Sequence, residues 1–325
     1  MSELERVHVF DTTLRDGALT PGVTMTLAER LSIAEALERM GVDVIEAGLA
    51  GASADETTAL RETAALLQEA VVCALARAAT RDIDQAAEAL SGARRRRVHT
   101  YLSTSPVHMA HKLQMTPDEV LRLIGDSVAH ARNLFDDVEW SPEDATRSEP
   151  DFLCRAVECA IGAGAATITV SDTVGYAMPD EFAALIAMLR DRVPNIDKAV
   201  LSVHCHDDLG LAVANSLAAI GAGARQVQCT VNGLGPRAGN ASLEEVVMAI
   251  HTRADAMKVD TGLRTEHIAG VSRLVAAASG LAVPPNKSIV GANVFSDVTA
   301  IAEDGDQTGT LYQVLTPRSV GFGDT

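Results

Sequence analysis

Two histidines separated by one residue, His204 and His206, are the strongest candidates for chemistry in this sequence. They follow an apolar run at residues 199–203 that is typical of a buried strand. In an extended strand, side chains two residues apart leave on the same face, so both imidazoles can converge on one ion. The pair therefore predicts a metal site, although histidines that only hydrogen-bond to loop carbonyls would give the same short pattern.

Other polar residues follow other apolar segments of the chain. They are Arg15 and Asp16, Glu46, His108, Glu139, Asp172 and Thr173, and Asn240. If these segments are the strands of one barrel, all of these residues gather at the rim where barrel active sites lie. A carboxylate, two imidazoles and a carboxamide suit a divalent ion, for which zinc, magnesium, manganese and cobalt are all admissible. Such an ion can polarise a 2-oxo acid, and Arg15 can hold the substrate carboxylate by two hydrogen bonds.

Short apolar strands alternate with helical patterns along most of the chain. Strands are predicted at residues 7–11, 44–47, 71–75, 98–102, 137–140, 167–171 and 226–230, with a further strand carrying the histidine pair. Helices are predicted at residues 26–40, 53–68, 81–90, 117–134, 151–163, 179–193 and 243–253, and between the last two strands. Eight such repeats predict an α/β protein with a closed (β/α)8 TIM barrel.

The barrel is assigned to residues 1–257 as the catalytic domain, and residues 258–325 to a C-terminal extension that is helical and irregular, without strands. An open, doubly wound sheet is the alternative fold. The sequence does not favour it, because no Gly-x-Gly-x-x-Gly motif follows the first strand.

Composition excludes several classes of protein. A net charge of -17 disfavours nucleic-acid binding, and no apolar run is long enough for a membrane span. Five scattered cysteines without a Cys-x-x-Cys pair indicate reduced thiols in a cytoplasmic enzyme. The basic run at residues 94–97 is interpreted as a solvated approach to a strand, with a patch for an anionic ligand as the alternative.

Six motifs in order resemble the DRE-TIM metallolyase superfamily, and within it most closely the 2-isopropylmalate synthases, with homocitrate and citramalate synthases as relatives. The motifs lie at residues 11–17, 105–108, 143–147, 172–176, 204–210 and 233–240, and the similarity runs from about Val7 to Gly291. The resemblance implies a TIM barrel that condenses acetyl-CoA with a 2-oxo acid by a Claisen-type addition, working as a homodimer.

The resemblance also assigns roles to individual residues. It implies metal ligands at Asp16, His204, His206 and Asn240, contacts to the 2-oxo acid from Arg15, His108 and Thr173, and support of the reacting centre by Glu139. For Asp11 and Asp172, structural roles at strand ends and direct contacts to the site are both open.

This chain keeps the family's metal and 2-oxo acid residues but departs from its relatives in the wall near the 2-oxo acid and in the tail that handles the acetyl proton. Ala18 and Leu19 stand where relatives carry Glu-Gln, which makes the pocket wall more apolar or roomier, and Pro236 precedes Arg237 where they carry Glu. The tail histidine that serves relatives as catalytic acid or base is absent at Ala302. Nearby acids, Asp297, Glu303 and Asp304, are candidate replacements, or else solvated charges. The sequence ends at Thr325, so the regulatory domain of many relatives is not expected.

Three functions are compatible with this pattern. The first is an acyltransferase that joins an acyl-CoA, acetyl-CoA above all, to a 2-oxo acid. The second is a carbon–carbon lyase or aldolase on the same scaffold, since a barrel alone does not fix the direction of the reaction. The third is a catalytically silent partner subunit of an intact synthase. Retained metal ligands favour catalysis, whereas the missing tail histidines favour altered or lost chemistry.

Overall fold

In a computed structural model of the chain, which describes residues 4–296 and 314–323, eight parallel strands close into a barrel wrapped by helices. The barrel strands are β2 (His8–Asp11), β3 (Val44–Leu49), β4 (Val71–Arg77), β5 (Arg96–Ser103), β6 (Val138–Glu143), β7 (Thr167–Asp172), β8 (Val200–Cys205) and β9 (Gln226–Cys229). Each strand pairs with the next in the chain, and β2 pairs with β9 to close the barrel. The predicted (β/α)8 barrel is confirmed.

All eight predicted helices are present among the described residues, together with four others, three of which are only three or four residues long. The helices are α1 (Leu27–Met40), α2 (Ala54–Leu66), α3 (Thr80–Ala89), α4 (Pro106–His108), α5 (Pro117–Leu134), α6 (Pro150–Ala163), α7 (Pro179–Arg192), α8 (Ala212–Gly221), α9 (Leu243–Thr252), α10 (Ala254–Met257), α11 (Ile268–Ser279) and α12 (Pro317–Val320). Capping explains the sharp boundaries of α1. Thr26 and Glu29 form a capping box at its start, and Gly41 ends it in the left-handed conformation at φ 93°.

The interior of the barrel is largely polar. Arg97 on β5 donates to Gln226 on β9 at 2.8 Å, and His99 on β5 bonds Glu46 on β3 at 2.9 Å. Neither pair of strands is adjacent, so both contacts cross the inside of the barrel. Most large apolar side chains instead fill the layer between strands and helices, where Trp140 is fully buried. The buried polar side chains form a hydrogen-bonded network that leads towards the carboxyl ends of the strands.

The C-terminal region contains a strand that the sequence did not indicate. Val259–Asp260 (β10) pairs in parallel with Glu5–Arg6 (β1) as a separate two-stranded sheet, so the prediction of no strand after residue 257 is wrong. Two residues are too short to give a period-2 signal, and their partner lies at the other end of the chain. Helix α11 packs against α1, and its buried residues belong to the same hydrophobic core as the barrel. A domain boundary at residue 257 stays a prediction.

The basic run at residues 94–97 is not uniformly solvated. Arg97 points into the barrel, its side chain only 11% exposed, and pairs with Asp137 at 2.9 Å and Glu139 at 2.7 Å. Arg96 instead lies over the ring of Phe135, 5.0 Å from its centroid. Within the described residues, no helix is both long and apolar enough to cross a bilayer.

Candidate active site

A pocket of about 430 Å³ opens at the carboxyl ends of the strands and is lined by five of the predicted site residues, Arg15, Asp16, Thr173, His204 and His206. The turn after β2 supplies two of them, Arg15 and Asp16, and is held by hydrogen bonds of its own. Asp11 accepts from the backbone N–H of Thr13 at 2.9 Å and from its hydroxyl at 2.8 Å. Thr12 donates to Glu46 at 2.6 Å and accepts from the N–H of Asp16 at 3.2 Å. Asp11 therefore shapes the turn from below and does not line the pocket.

Asp16, His204 and His206 form a compact group of possible metal ligands. Oδ2 of Asp16 lies 3.7 Å from Nε2 of His204 and 3.8 Å from Nε2 of His206, and the two Nε2 atoms are 3.3 Å apart. A triangle with these sides has a circumradius of about 2.1 Å, which matches usual metal–nitrogen and metal–oxygen distances. The three side chains thus fit a divalent ion, as the sequence predicted.

Hydrogen bonds on the far side of each imidazole fix which nitrogen is free. Nδ1 of His204 donates to Oε1 of Gln228 at 2.7 Å, and Nδ1 of His206 donates to the carbonyl of Gly239 at 3.3 Å. With the proton on Nδ1, the lone pair of each Nε2 faces the other ligands. This is the arrangement that neutral histidine ligands adopt around metal ions.

The electrostatics of the three groups also suit a cation. Burial alone would raise the pKa of Asp16, but Arg15 and the two imidazoles outweigh it and hold the pKa below its ordinary value. Burial lowers the pKa of His204, and burial together with His204 lowers the pKa of His206 to about 4. An ionised carboxylate therefore faces two neutral imidazoles at neutral pH, as metal binding requires.

Asn240, the fourth predicted ligand, lies beside this group. Its amide nitrogen donates to Oδ2 of Asp16 at 2.8 Å and to the carbonyl of Leu234 at 2.9 Å. Its Oδ1 is buried and has no hydrogen-bond partner among the described residues. A Cβ on Gly235 would stand 2.2 Å from the amide nitrogen, so this glycine lets the side chain sit here. The unpaired oxygen is consistent with a ligand, and coordination by Asn240 stays a prediction.

Arg15 lines the pocket, but two of its donors are already hydrogen-bonded to neighbouring carboxylates. Its Nε donates to Glu46 at 2.6 Å and its Nη1 donates to Asp16. Burial lowers the pKa of Arg15, but these two carboxylates outweigh it and raise the pKa well above the ordinary value. Among the described residues, Nη2 has no hydrogen-bond partner. Arg15 therefore orients Asp16, one of the three possible metal ligands, and its contact with a substrate stays a prediction.

Thr173 and His108 differ in their access to the pocket. Thr173 lines it, and its hydroxyl accepts from the N–H of Asp144 at 2.9 Å, which leaves the hydroxyl proton for another acceptor. His108 lies on α4 outside the pocket lining, with Nδ1 3.3 Å from the hydroxyl of Ser103. Asp172 is fully buried and accepts from Thr146 at 3.0 Å and from the N–H of Ala177 at 3.2 Å, so it ties the loop after β6 to the loop after β7.

Glu139 lies beneath the pocket and not in its wall. Its carboxylate accepts from Arg97, Thr169, Gln226 and Gln228. Burial alone would raise its pKa, but Arg97 and His99 bring the pKa below its ordinary value. Glu139 therefore reaches the site through Gln228 and does not touch the pocket. The other two predicted catalytic acids, Asp297 and Glu303, lie outside the described residues.

Several pocket residues were not singled out by sequence reasoning. The polar ones are Glu56, His99, Tyr101, Ser141, Ser171 and Gln228, together with Glu143, which was noted only as the first residue of a motif. Their spacing carries a signal, because His99 and Tyr101 on β5 and Ser141 and Glu143 on β6 are each two apart and so share the inner face. His99 connects Glu46 at 2.9 Å with Ser141 at 2.6 Å. Opposite this polar side, the expected apolar wall is present, formed by Ala18, Leu19, Leu49, Ala52 and Leu75.

Comparison with known sequences agrees with the resemblance seen in the motifs. The curated 2-isopropylmalate synthase of Methylococcus capsulatus is 53% identical over 319 residues, covering 98% of this chain and 62% of that protein. That of Methylobacterium nodulans is 54% identical over 325 residues, covering 100% of this chain and 62% of that protein. The chain thus spans 62% of the length of these curated relatives.

Comparison with solved structures supports the fold. A hydroxymethylglutaryl-CoA lyase from Pseudomonas aeruginosa matches with a TM-score of 0.72 at 19% identity, over 87% of this chain and 96% of the lyase. At this level of identity the likeness establishes the shared barrel and not the reaction. A family model described as HMGL-like matches residues 6–275. Because that match covers most of the chain, this protein belongs to the HMGL-like family.

Proposed function

We propose that this chain is an acyltransferase resembling 2-isopropylmalate synthase, which condenses an acyl-CoA, acetyl-CoA in the first instance, with a 2-oxo acid. The main support is the convergence of Asp16, His204 and His206 in one pocket with Arg15 and Thr173. Relatives 53% and 54% identical over nearly the whole chain carry the name 2-isopropylmalate synthase. The enolate carbon of the acyl-CoA adds to the 2-oxo carbon, and water then cleaves the thioester, so that CoA leaves as the free thiol. The product is a dicarboxylate with a hydroxyl group and the former 2-oxo side chain on the same carbon.

The pocket residues divide the work of binding. A divalent ion held by Asp16, His204, His206 and Asn240 supplies Lewis-acid polarisation of the 2-oxo acid. Arg15 and the hydroxyl of Thr173 donate to the substrate carboxylate, which they place beside the ligand group. The apolar wall that includes Ala18, Leu19 and Leu75 receives the aliphatic side chain of the 2-oxo acid. Magnesium, manganese, zinc and cobalt all remain candidates for the ion.

The condensation also needs a base that removes a proton from the acetyl methyl group. Within the described residues, three carboxylates line the pocket: Asp16, Glu56 and Glu143. Asp16 belongs to the ligand group, and Glu56 is paired with Arg30 at 2.6 Å. Glu143 is also ion-paired, with Lys112 at 2.6 Å, and accepts from the hydroxyl of Ser103. Lys112 is 48% exposed whereas Arg30 is only 10% exposed, so the ion pair of Glu143 is the more readily broken. Glu143 therefore joins Asp297, Glu303 and Asp304 as a candidate base.

The test is a screen of 2-oxo acids against acetyl-CoA and malonyl-CoA, read as free thiol release above the rate without a 2-oxo acid. Malonyl-CoA generates its enolate by losing CO₂, so it needs no base at the methyl carbon. Glu143→Gln should lower the acetyl-CoA rate by about 10²-fold or more if Glu143 is the base, yet spare malonyl-CoA turnover. A joint replacement of Asp297, Glu303 and Asp304 makes the corresponding test for the tail.

Restoring the family residue by Ala302→His should raise acetyl-CoA turnover if that position faces the thioester. Should the wild type keep its metal but release thiol from neither donor with any 2-oxo acid, the synthase proposal fails in favour of a lyase or a silent subunit. Assembly as a homodimer, measured by light scattering, and a cytoplasmic location stay predictions.

A further inference from the structure

Gln228 links the metal-ligand group to the buried charges of the barrel interior. Its Oε1 accepts from Nδ1 of His204 at 2.7 Å, and its Nε2 donates to Oε1 of Glu139 at 2.7 Å. Gln228 and Glu139 are almost fully buried and His204 is 7% exposed, so these hydrogen bonds form in a region of low dielectric constant. The two strands reinforce the contact, because His204 on β8 and Gln228 on β9 are register partners.

The orientation of the Gln228 amide is determined by Glu139. An ionised carboxylate can only accept hydrogen bonds, so the group facing it must be the NH₂ of the amide. The carbonyl oxygen of Gln228 is then turned towards His204, where it can only accept. His204 must place its proton on Nδ1, which leaves Nε2 as the free ligand atom. Arg97 in turn holds Glu139 with an N–O distance of 2.7 Å.

We propose that Gln228 is a positioning residue for the metal centre. Glu139 can only accept hydrogen bonds and so fixes the orientation of the Gln228 amide, and the amide in turn fixes the tautomer and the ring orientation of His204. The inference rests on the metal centre of the proposed function, but not on which reaction occurs there. Glu139 then acts indirectly, since Gln228 and His204 lie between its carboxylate and the ion. A purely structural role for the buried network is the alternative, and it predicts loss of stability without loss of metal affinity.

Gln226 provides a matched control on the same strand. It lies two residues before Gln228, is equally buried, and also donates to Glu139, at 3.2 Å. Its other partners are Arg97 and Ser202, and it contacts neither histidine of the ligand group. Gln226→Leu therefore disturbs the same network without touching His204. The difference between Gln226→Leu and Gln228→Leu isolates the contact to the ligand.

The experiment measures Mn²⁺ affinity of the full chain by the electron paramagnetic resonance signal of free Mn²⁺, with no substrate present. Mn²⁺ is chosen because the five cysteines bind it weakly. Gln228→Leu should weaken Mn²⁺ binding by about 10- to 100-fold, the usual effect of losing an outer partner of a ligand histidine. Gln226→Leu should change it by less than about threefold, although both should lower the melting temperature. Equal affinities in wild type and Gln228→Leu would overturn the inference.

A charge exchange covers the case in which Gln228→Leu does not fold. Gln228→Glu places two carboxylates against each other with no hydrogen between them, and should weaken Mn²⁺ binding by about tenfold or more. Adding Glu139→Gln restores the alternation of donor and acceptor, and should bring affinity back to within about threefold of wild type. Failure of the double variant to recover, with both proteins folded by circular dichroism, would also overturn the inference. Wild type that binds Mn²⁺ without condensing any substrate would refute only the proposed function.

Discussion

Asp11 lies at the end of β2, where its carboxylate is fully buried, and replacing it with asparagine should change how stability depends on pH. Burial raises the pKa of Asp11 to about 7 despite two hydrogen bonds from Thr13, and the neighbouring carboxylates of Glu46 and Glu244 add to the rise. Between its ordinary value of 3.8 and about 7, the folded protein binds a proton that the unfolded chain has lost. Stability must therefore fall as pH rises through this window.

The shift sets the size of the effect. A rise of the Asp11 pKa from 3.8 to about 7 corresponds to a loss of folding stability of roughly 4 kcal/mol at most as the pH increases. About 2 to 3 kcal/mol of this loss falls between pH 5 and pH 8. Asp11→Asn keeps an acceptor for the N–H of Thr13 but cannot ionise. We expect the variant to be no more stable than wild type at pH 5 and more stable at pH 8.

The assay is urea unfolding followed by circular dichroism across this range, with a chelator present so that metal binding does not contribute. The informative quantity is the stability difference between the two proteins at each pH, since it cancels the titration of every other group. A difference that stays constant within about 0.5 kcal/mol from pH 5 to pH 8 would show that Asp11 is already ionised in the folded protein at pH 5.

Three further outcomes are expected at the site. The double variant His204→Ala/His206→Ala should lose the bound divalent ion and any activity, so unchanged metal content by elemental analysis would contradict the ligand assignment. Arg15→Lys should lower turnover by at least about tenfold and also weaken metal binding, because a point charge cannot reproduce the contacts to both carboxylates. Wild-type kinetics in this variant would argue against a role for Arg15 in binding the substrate and in orienting Asp16. Gly235→Ala should displace the amide of Asn240 and weaken metal binding by about tenfold. Gly162→Ala is the control, because there is open space around its Cβ, and it should leave metal binding unchanged. Equal metal affinities of the two variants would place Asn240 outside the coordination sphere.

The barrel fold could be predicted from the sequence because capping residues and apolar periodicity mark the helices and strands that the barrel contains. Helix α5 begins and ends where it was predicted, at Pro117 and Leu134, since a Thr116–Glu119 capping box and a proline mark its start. The strand at Val259–Asp260 was missed because it depends on a partner more than 250 residues away and has no periodicity of its own. Long-range pairing of this kind leaves no trace in a short window of sequence.

The candidate site was only partly readable. Asp16, His204 and His206 could be brought together because a barrel collects the ends of its strands at one rim. The neighbourhood of Arg97 could not be inferred, because a run of four arginines looks like a solvated surface until the barrel curvature turns one of them inward. Gln228 was overlooked for a related reason, since an uncharged amide in a short strand carries no chemical signal without its two partners.

The barrel closes where β2 meets β9, so the first and last strands of the ring are neighbours in space and more than 200 residues apart in the chain. Asp16 follows β2, whereas His204 ends β8 and Asn240 follows β9. An ion held between them would link the two ends of the chain's barrel where β2 and β9 close it. Contacts of such sequence separation carry the largest loop-closure entropy, so we expect this part of the barrel to form late in folding. Metal at 100 times its Kd would add about 2.7 kcal/mol to the folded state, and hydrogen exchange at β2 and β9 should slow first as it binds.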